Sequence, residues 1–449
     1  MKILSITAGA GNMYCGSCLR DNNLAAELRR QRHDVILLPL YTPTRTDEPN
    51  ASRPGRIFFG GISVYLEQLS PLFRKTPKFL DRLWDLPSVI SLFAGRGVEV
   101  DPQSLGALTV SILEGAAGHQ SKEIDALVEW LRHEPRPDLI TLPYTLLISL
   151  AKPLKQLTGC PIICTLQGEE LFLEGLIEPY RGQSLALIRA QIKEVDGFIA
   201  VSHYGARFMS QYLGIPEQKV FTVPLGIPLE GHSLLRRSKN PHRTVGFLGR
   251  IAPEKGLHIL ADSYRLLRVR PGIGPLRLQA AGYLPPEKKP YFASVEEKFK
   301  QWGIPEEFRY WGEVTRDQKP RFLQNADVFS MPCTYDEPKG LPILEAMANG
   351  VPVVQPRRGS FTEMVESTGG GLLVEPDSPE ALAAGLERIL SDPSLSLELG
   401  RRGCESVRRD YSIERMATCT AEVYRLVTAS SAASPASPAS PPRTETFAP

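Results

Sequence analysis

Short runs of apolar residues, suited to strands buried on both faces, alternate along the chain with stretches whose apolar positions repeat at helical spacing. The first run, Lys2–Thr7 (KILSIT), leads into a loop holding Gly9, Gly11 and Gly16. A helix over about Leu19–Arg32 follows, with Leu24, Ala25 and Leu28 on one face, and then a strand at Asp34–Leu40. Strand, glycine loop, helix, strand is the opening of a parallel α/β sheet. Further strands are predicted at Asp138–Leu142, Pro161–Leu166, Gly197–Ser202 and Lys219–Pro224. The rhythm breaks between Tyr41 and about Pro137, where Gly60-Gly61, Pro71, Pro77 and Pro87 mark an insertion (about 41–137) on the N-terminal sheet.

The alternation resumes in the C-terminal half. Strands are predicted at Arg243–Gly249, Leu276–Ala281, Phe308–Gly312, Asp327–Pro332 and Val351–Pro356. Helices are predicted at about Leu257–Val269, Lys288–Trp302, Arg316–Asn325, Pro342–Asn349 and Pro379–Ser391, with two more ending near Val427. Between the halves, the Pro-, Gly-, Ser- and Arg-rich stretch at Gly226–Arg243 is the expected inter-domain linker. The expected organisation is an N-terminal domain over 1–225, a linker over 226–243, a second domain over 244–411 and a final helix over 412–428. The Ser/Ala/Pro tail over 429–449 cannot bury enough apolar surface to offset its ordering entropy, so it is read as disordered.

Composition narrows the function classes. At 449 residues the chain exceeds one ordinary domain, and 42% hydrophobic with 23% charged residues supports a packed core. Lys and Arg number 52 against 50 Asp and Glu, a net charge of +2, which argues against a dedicated nucleic-acid binder. The best apolar stretch, Leu139–Ala151, is interrupted by Thr141, Pro143 and Thr145 and falls short of the ~20 residues of a membrane span. The N-terminal run ends at Gly9 and reads as a strand and turn, not a signal peptide. Seven cysteines without a secretory signal are expected to be reduced, and the protein cytoplasmic.

The densest chemical signal is Asp327–Gly359. A strand there feeds a loop and then a helix with Pro342 at its start and Gly350 past its end, and ligands of open α/β sheets bind at such strand ends. Glu337 stands on the loop and Glu345 in the expected first turn of the helix. The N–H groups of Lys339, Gly340 and Leu341 lead into the helix and form a cradle for an anion, with Gly340 permitting close backbone approach. A carboxylate at 345 can accept two hydrogen bonds from a vicinal diol such as a ribose, and one at 337 can do so from sugar hydroxyls. A second constellation, Gly249–Gly256, follows another strand. Arg250 can pair bidentately with phosphate oxygens and Lys255 adds a compact charge. Each alone reads more readily as surface chemistry: a helix-capping acid, a solvated acid, an Arg250–Glu254 ion pair.

Together the two constellations resemble the nucleotide-sugar glycosyltransferases of the GT-B fold, specifically the retaining family 4. The resemblance runs from Lys2 to about Val427 and is strongest over Val245–Leu390. Its ordered motifs are Gly249-Arg250-x4-Lys255, Gly312, Ala326-Asp327, Pro332, Glu337-x7-Glu345 with Gly340-Leu341-Pro342 inside it, Gly350, Pro352-Val353-Val354 and Gly371-Leu372-Leu373-Val374. It implies an α/β protein of two Rossmann-like, doubly wound parallel-sheet domains facing across a cleft, the last helix crossing back to the first domain. It implies transfer of a hexosyl group from a nucleoside diphosphate sugar to a hydroxyl acceptor (a glycan, lipid or small molecule). Arg250 and Lys255 would hold the donor diphosphate and stabilise its departure, Glu337 would bind sugar hydroxyls, and Glu345 the ribose. Gly16, Gln167, Lys339, Gly340 and Leu341 would complete the donor site. Beyond the nucleotide-sugar co-substrate no cofactor or metal is expected, because Arg, Lys and a helix N-terminus neutralise the charge.

The chain departs from the family at four places. Gln167 stands where a His is common, and Lys339 where Phe is frequent. Ala281-Gly282-Tyr283 replaces a glycine-rich nucleotide turn, and Pro224-Leu225-Gly226-Ile227 replaces a segment with Asn-Gly and Asp. Weaker features remain. Cys15-x-x-Cys18 at a helix N-terminus suits a lowered thiol pKa or simply a packed loop around Gly16. His119 suits an acceptor contact or a structural cap. Leu72–Trp84, mixing Arg and Lys with Phe and Trp, suits peripheral contact with the anionic inner face of a membrane or a half-buried helix. The rival readings are a non-catalytic sugar-nucleotide-binding protein and an epimerase or hydrolase on the same fold. A dinucleotide oxidoreductase is disfavoured because Gly9, Gly11 and Gly16 miss the G-x-G-x-x-G register.

Overall fold

The structure, a computed structural model, describes residues 1–9, 16–41, 49–52, 102–234 and 242–433. Two wholly parallel six-stranded sheets organise them. The first contains β1 (Lys2–Thr7), β2 (Asp34–Pro39), β3 (Leu139–Leu142), β4 (Ile162–Leu166), β5 (Gly197–Ala200) and β6 (Val220–Thr222), in the order β2-β1-β3-β4-β5-β6. The second contains β7 (Arg243–Leu248), β8 (Leu276–Ala281), β9 (Phe308–Tyr310), β10 (Val328–Phe329), β11 (Val353–Pro356) and β12 (Gly371–Val374), in the order β12-β11-β10-β7-β8-β9. Every residue of β3, β4 and β5 is buried, as helices on both faces of a parallel sheet require. Register follows from this: Ile3 pairs with Val35 on one side and Leu139 on the other, and Val245 pairs with Leu278 and Val328.

Both sheets reverse direction beside their first strand, between β1 and β3 and between β7 and β10. Crevices for ligands open at such switch points. The loops after β7 and β10 are those that carry Arg250, Lys255 and Glu337. The two Rossmann-like domains face one another across a cleft. Lys339 Nζ donates to Ser17 Oγ at 3.0 Å, and the Ser202 hydroxyl donates to the Pro338 carbonyl at 3.2 Å. Glu363 accepts from the backbone N–H groups of His203 and Tyr204 at 3.0 and 2.8 Å.

The final helix, Ile413–Ala433, packs on the first, Gly16–Arg30, at the opposite end of the chain. Ile413, Met416, Ala417, Ala421, Tyr424 and Val427 form its buried stripe. Gln31 Nε2 donates to Glu414 O and Thr418 Oγ1 at 3.2 and 3.3 Å. Ile227 exchanges backbone hydrogen bonds with Tyr411 and Ile413 at 2.9 and 3.0 Å, tying the chain between the domains to this helix.

Several elements differ from the sequence expectations. The final helix continues to Ala433, so 429–433 belong to it and not to the tail. Ala has the highest helix propensity, and the Thr428 and Ser430 hydroxyls bond back to Tyr424 O and Leu426 O at 2.7 and 3.0 Å. The first helix begins at Gly16, three residues before the expected start. β10 is two residues long, because Met331 N–H turns to the Gln355 side chain at 3.3 Å. Helices at Pro102–Glu114 and Ser121–Arg132 occupy the last part of the expected insertion. Cys15, residues 42–48 and 53–101 of the insertion (the 72–84 patch among them), linker residues 235–241 and the tail from 434 lie outside the described residues. Among the described residues, no helix is long and apolar enough to cross a membrane.

Candidate active site

After β7 the chain turns at Gly249 and runs into a single 3-10 turn, Pro253–Lys255, before the helix Leu257–Arg268. Gly256 joins these with φ 78°, and a Cβ there would stand 1.8 Å from the Pro332 carbonyl oxygen. Only glycine lets this turn lie against the loop after β10. Lys255 and Glu337 meet as a result. The Lys255 ammonium donates to Glu337 Oε2 and, at 2.5 Å, to the Tyr335 hydroxyl, which itself donates to Glu337. Lys339 N–H reaches Glu337 Oε1 at 3.2 Å. The Glu337 carbonyl is held by Ser360 through its N–H and hydroxyl at 2.9 and 2.7 Å.

The pair is buried, and its charges decide its chemistry. Burial pushes the Glu337 carboxyl upward, but the Lys255 charge and the hydrogen bonds from Lys255 and Tyr335 outweigh it and draw the pKa down to about 2. For Lys255, burial works downward and the Glu337 carboxylate outweighs it, so its pKa is raised. Both groups are therefore ionised near neutrality. Tyr335 is held protonated, well above the usual range, by burial and then by the Glu337 charge. Arg250, about half exposed, pairs with Glu254 on its own turn. Behind the loop, Glu170 is raised to about 7 by burial and then by the neighbouring Glu169.

The helix Leu341–Ala348 begins at Gly340, whose φ of 66° and close approach to Met364 (2.9 Å from a Cβ position) exclude a side chain. Glu345 lies in its second turn, not the first, because the helix starts at Leu341 and 345 is its fifth residue. Its Oε1 accepts from Lys319 Nζ at 2.9 Å, with both side chains largely buried. Across the cleft, Gly16 opens the first helix instead of sitting in the loop before it, and Leu341 Cδ1 is 3.7 Å from where its Cβ would be.

These elements enclose one cavity of about 490 Å³. Gly16, Gln167, Arg250, Lys255 and Glu337 all line it, as do Lys339, Gly340, Leu341 and Glu345. Every residue expected in catalysis or donor binding is thus brought to one space. His119 is not: its N–H donates to Ser111 Oγ at 2.8 Å, and it lies in the wall of neither this cavity nor the adjoining one. Tyr335 and Lys319, the partners of Lys255 and Glu345, also line the cavity without standing out in the sequence, as do Glu313 and Val314. Cys18 is buried within the first helix. No cluster of three or more His, Cys, Asp or Glu arranged to hold a metal occurs among the described residues.

Comparison with known proteins agrees with this architecture. Residues 113–230 match the model "Glycosyltransferase Family 4" and residues 236–405 match "Glycosyl transferases group 1". A D-inositol 3-phosphate glycosyltransferase of Segniliparus rotundus is 25% identical over 85% of this chain and 88% of its own. A GDP-mannose-dependent phosphatidylinositol monomannoside mannosyltransferase of Mycobacterium tuberculosis is 28% identical over 40% of this chain and 47% of its own. Among solved structures, sucrose-phosphate synthase of Thermosynechococcus elongatus superposes with a TM-score of 0.69 at 19% identity, covering 96% of this chain and 99% of that one. Anabaena HepE, solved with UDP and glucose, superposes with a TM-score of 0.64 at 17% identity, covering 95% and 100%. With two matched models in chain order over both domains and a doubly wound sheet in each, the chain belongs to the GT-B glycosyltransferases of family 4.

Proposed function

We propose that the protein transfers a hexosyl group from a nucleoside diphosphate sugar to a hydroxyl acceptor with retention of configuration at the anomeric carbon. The observation that carries this reading is the meeting of Lys255, Glu337, Arg250 and Glu345 in one cavity between the domains. The Lys255 ammonium has three N–H donors, and two are used by Glu337 and Tyr335, so one remains for a donor phosphate. Arg250 adds a forked donor. The depressed Glu337 carboxyl stays ionised and accepts from sugar hydroxyls. Glu345 exchanges part of its bond with Lys319 for the two ribose hydroxyls.

In the reaction the bond from the anomeric carbon to the diphosphate oxygen breaks as negative charge grows on that oxygen. Arg250 and Lys255, fixed before the reaction begins, stabilise that charge. The acceptor oxygen attacks from the face the diphosphate leaves, and its proton passes to the departing phosphate oxygen. No titrating side chain is required at 167, so a glutamine there is compatible with turnover. Relatives and neighbours are named with GDP-mannose and with UDP and glucose, so both bases enter the test. The protein is incubated with α-linked UDP- and GDP-hexoses and a panel of alcohols, and the product is read by NMR. An α-linked product is expected. A β-linked product overturns retention, and free hexose without transfer favours the hydrolase reading.

A further inference from the structure

A second chamber of about 460 Å³ adjoins the first on the side of the N-terminal domain. Gln167, Gly168 and Lys339 line both, so the two meet at these residues. The wall is divided by chemistry. Its charged and amide side chains stand at the junction: Lys339 donates to Ser17, and Glu169 accepts from Gln167 N–H at 2.8 Å and from Thr145 N–H and hydroxyl at 3.1 and 3.0 Å. Away from the junction the wall is formed by the rings of Tyr41, Tyr144 and Phe172 and by Leu105, Leu108, Ile112 and Leu146. The Thr109 hydroxyl is turned onto its own helix, donating to Leu105 O at 2.8 Å. Leu105, Leu108 and Ile112 recur at helical spacing along Pro102–Glu114 and stay only partly buried. At 1.5 Å per residue they make an apolar strip about 10 Å long.

Gln167 supplies a second, independent observation. It is 3% exposed. Its Nε2 donates to Pro143 O at 2.9 Å and to Asp21 Oδ1 at 3.3 Å. A carbonyl and a carboxylate accept hydrogen bonds, which fixes the direction of the amide. Its Oε1 is left as a buried acceptor without a partner. Such an atom calls for a donor, and a hydroxyl at the junction provides one.

We propose that this chamber takes the acceptor, and that the acceptor is an amphiphile. Its hydroxylated head lies at the junction and donates one hydroxyl to Gln167 Oε1, while its alkyl chain lies along Leu105, Leu108 and Ile112. The proposal rests on the glycosyl-transfer reading of the donor cavity. A small polyanion would find a single cation, Lys339, among the described lining residues.

The test titrates the full chain with n-octyl β-D-glucopyranoside and methyl β-D-glucopyranoside, below the micelle concentration, and separately with UDP and GDP. The octyl glucoside is expected to bind at least roughly tenfold more tightly, the equivalent of burying about two methylenes. Leu108→Glu should abolish that preference and Leu108→Ala should weaken it severalfold, with nucleotide binding and melting temperature retained in Leu108→Ala. Equal affinity for the two glucosides, a preference that survives both substitutions, or tighter binding of inositol 1-phosphate than of octyl glucoside would overturn the proposal. Failure of the unsubstituted chain to bind either nucleotide would instead reject the donor reading, while the two glucosides still report on the chamber.

Discussion

Replacing Glu337 by Gln would leave the Lys255 ammonium buried without its counter-charge, and breaking a buried pair in this way costs about 3–5 kcal/mol. Glu337→Gln and Lys255→Met are each expected to destabilise the protein strongly and to abolish transfer. The double variant should be less destabilised than the two effects added, and denaturant melts of the cycle measure the difference. The pair also sets a pH window. The Glu337 carboxyl falls from 4.5 to about 2 on folding, so its contribution is complete above about pH 4.5 and is lost as the pH drops toward 2. The stability of Glu337→Gln should vary less over that interval. Sequence spacing exposes Arg250, Lys255, Glu337 and Glu345 because each lies in a short local pattern at a strand end. It does not expose Tyr335 or Lys319. Tyr335 meets Lys255 from 80 residues away and Lys319 meets Glu345 from 26, and only the fold sets those distances.

At the scale of elements, the helix His203–Leu213 carries its N-terminal cap from both sides of the cleft. Ser202 Oγ accepts from Gly205 N–H, and Glu363, on the helix Gly359–Thr368, accepts from the first two N–H groups. A carboxylate at a helix N-terminus satisfies orphan donors and complements the dipole. Glu363→Ala is expected to cost about 1 kcal/mol and to weaken nucleotide binding, because the same bonds hold the domains together. Calorimetric melting with and without nucleotide reads both effects. The buried strands β3, β4 and β5 are legible as continuous apolar runs. The helix Pro102–Glu114 is not, because its buried face carries Gly106, Thr109 and Ser111 beside Leu113, which blurs the apolar period. β12 is only half-buried along its length and is visible in the sequence through family resemblance more than through hydropathy.

On the scale of the whole molecule, two doubly wound sheets present their switch points to a shared cleft, and the final helix returns to the first domain. The alternation of strands and helices in both halves makes the two sheets legible. Their mutual placement is not, since the contacts that set it, such as Lys339 with Ser17 across 322 residues, have no signature in spacing. The cleft is expected to bind a nucleoside diphosphate sugar through the Lys255–Glu337 loop pair and Glu345. The most direct test is thermal-shift binding of UDP, GDP, ADP and their hexoses to the full chain, with Glu345→Ala and Lys255→Ala alongside. A ligand specific to the folded state raises the melting temperature by mass action. A shift with one nucleotide and its sugar, lost in both variants, is expected. No shift with any nucleotide at millimolar concentration, or a shift that persists undiminished in both variants, would contradict it.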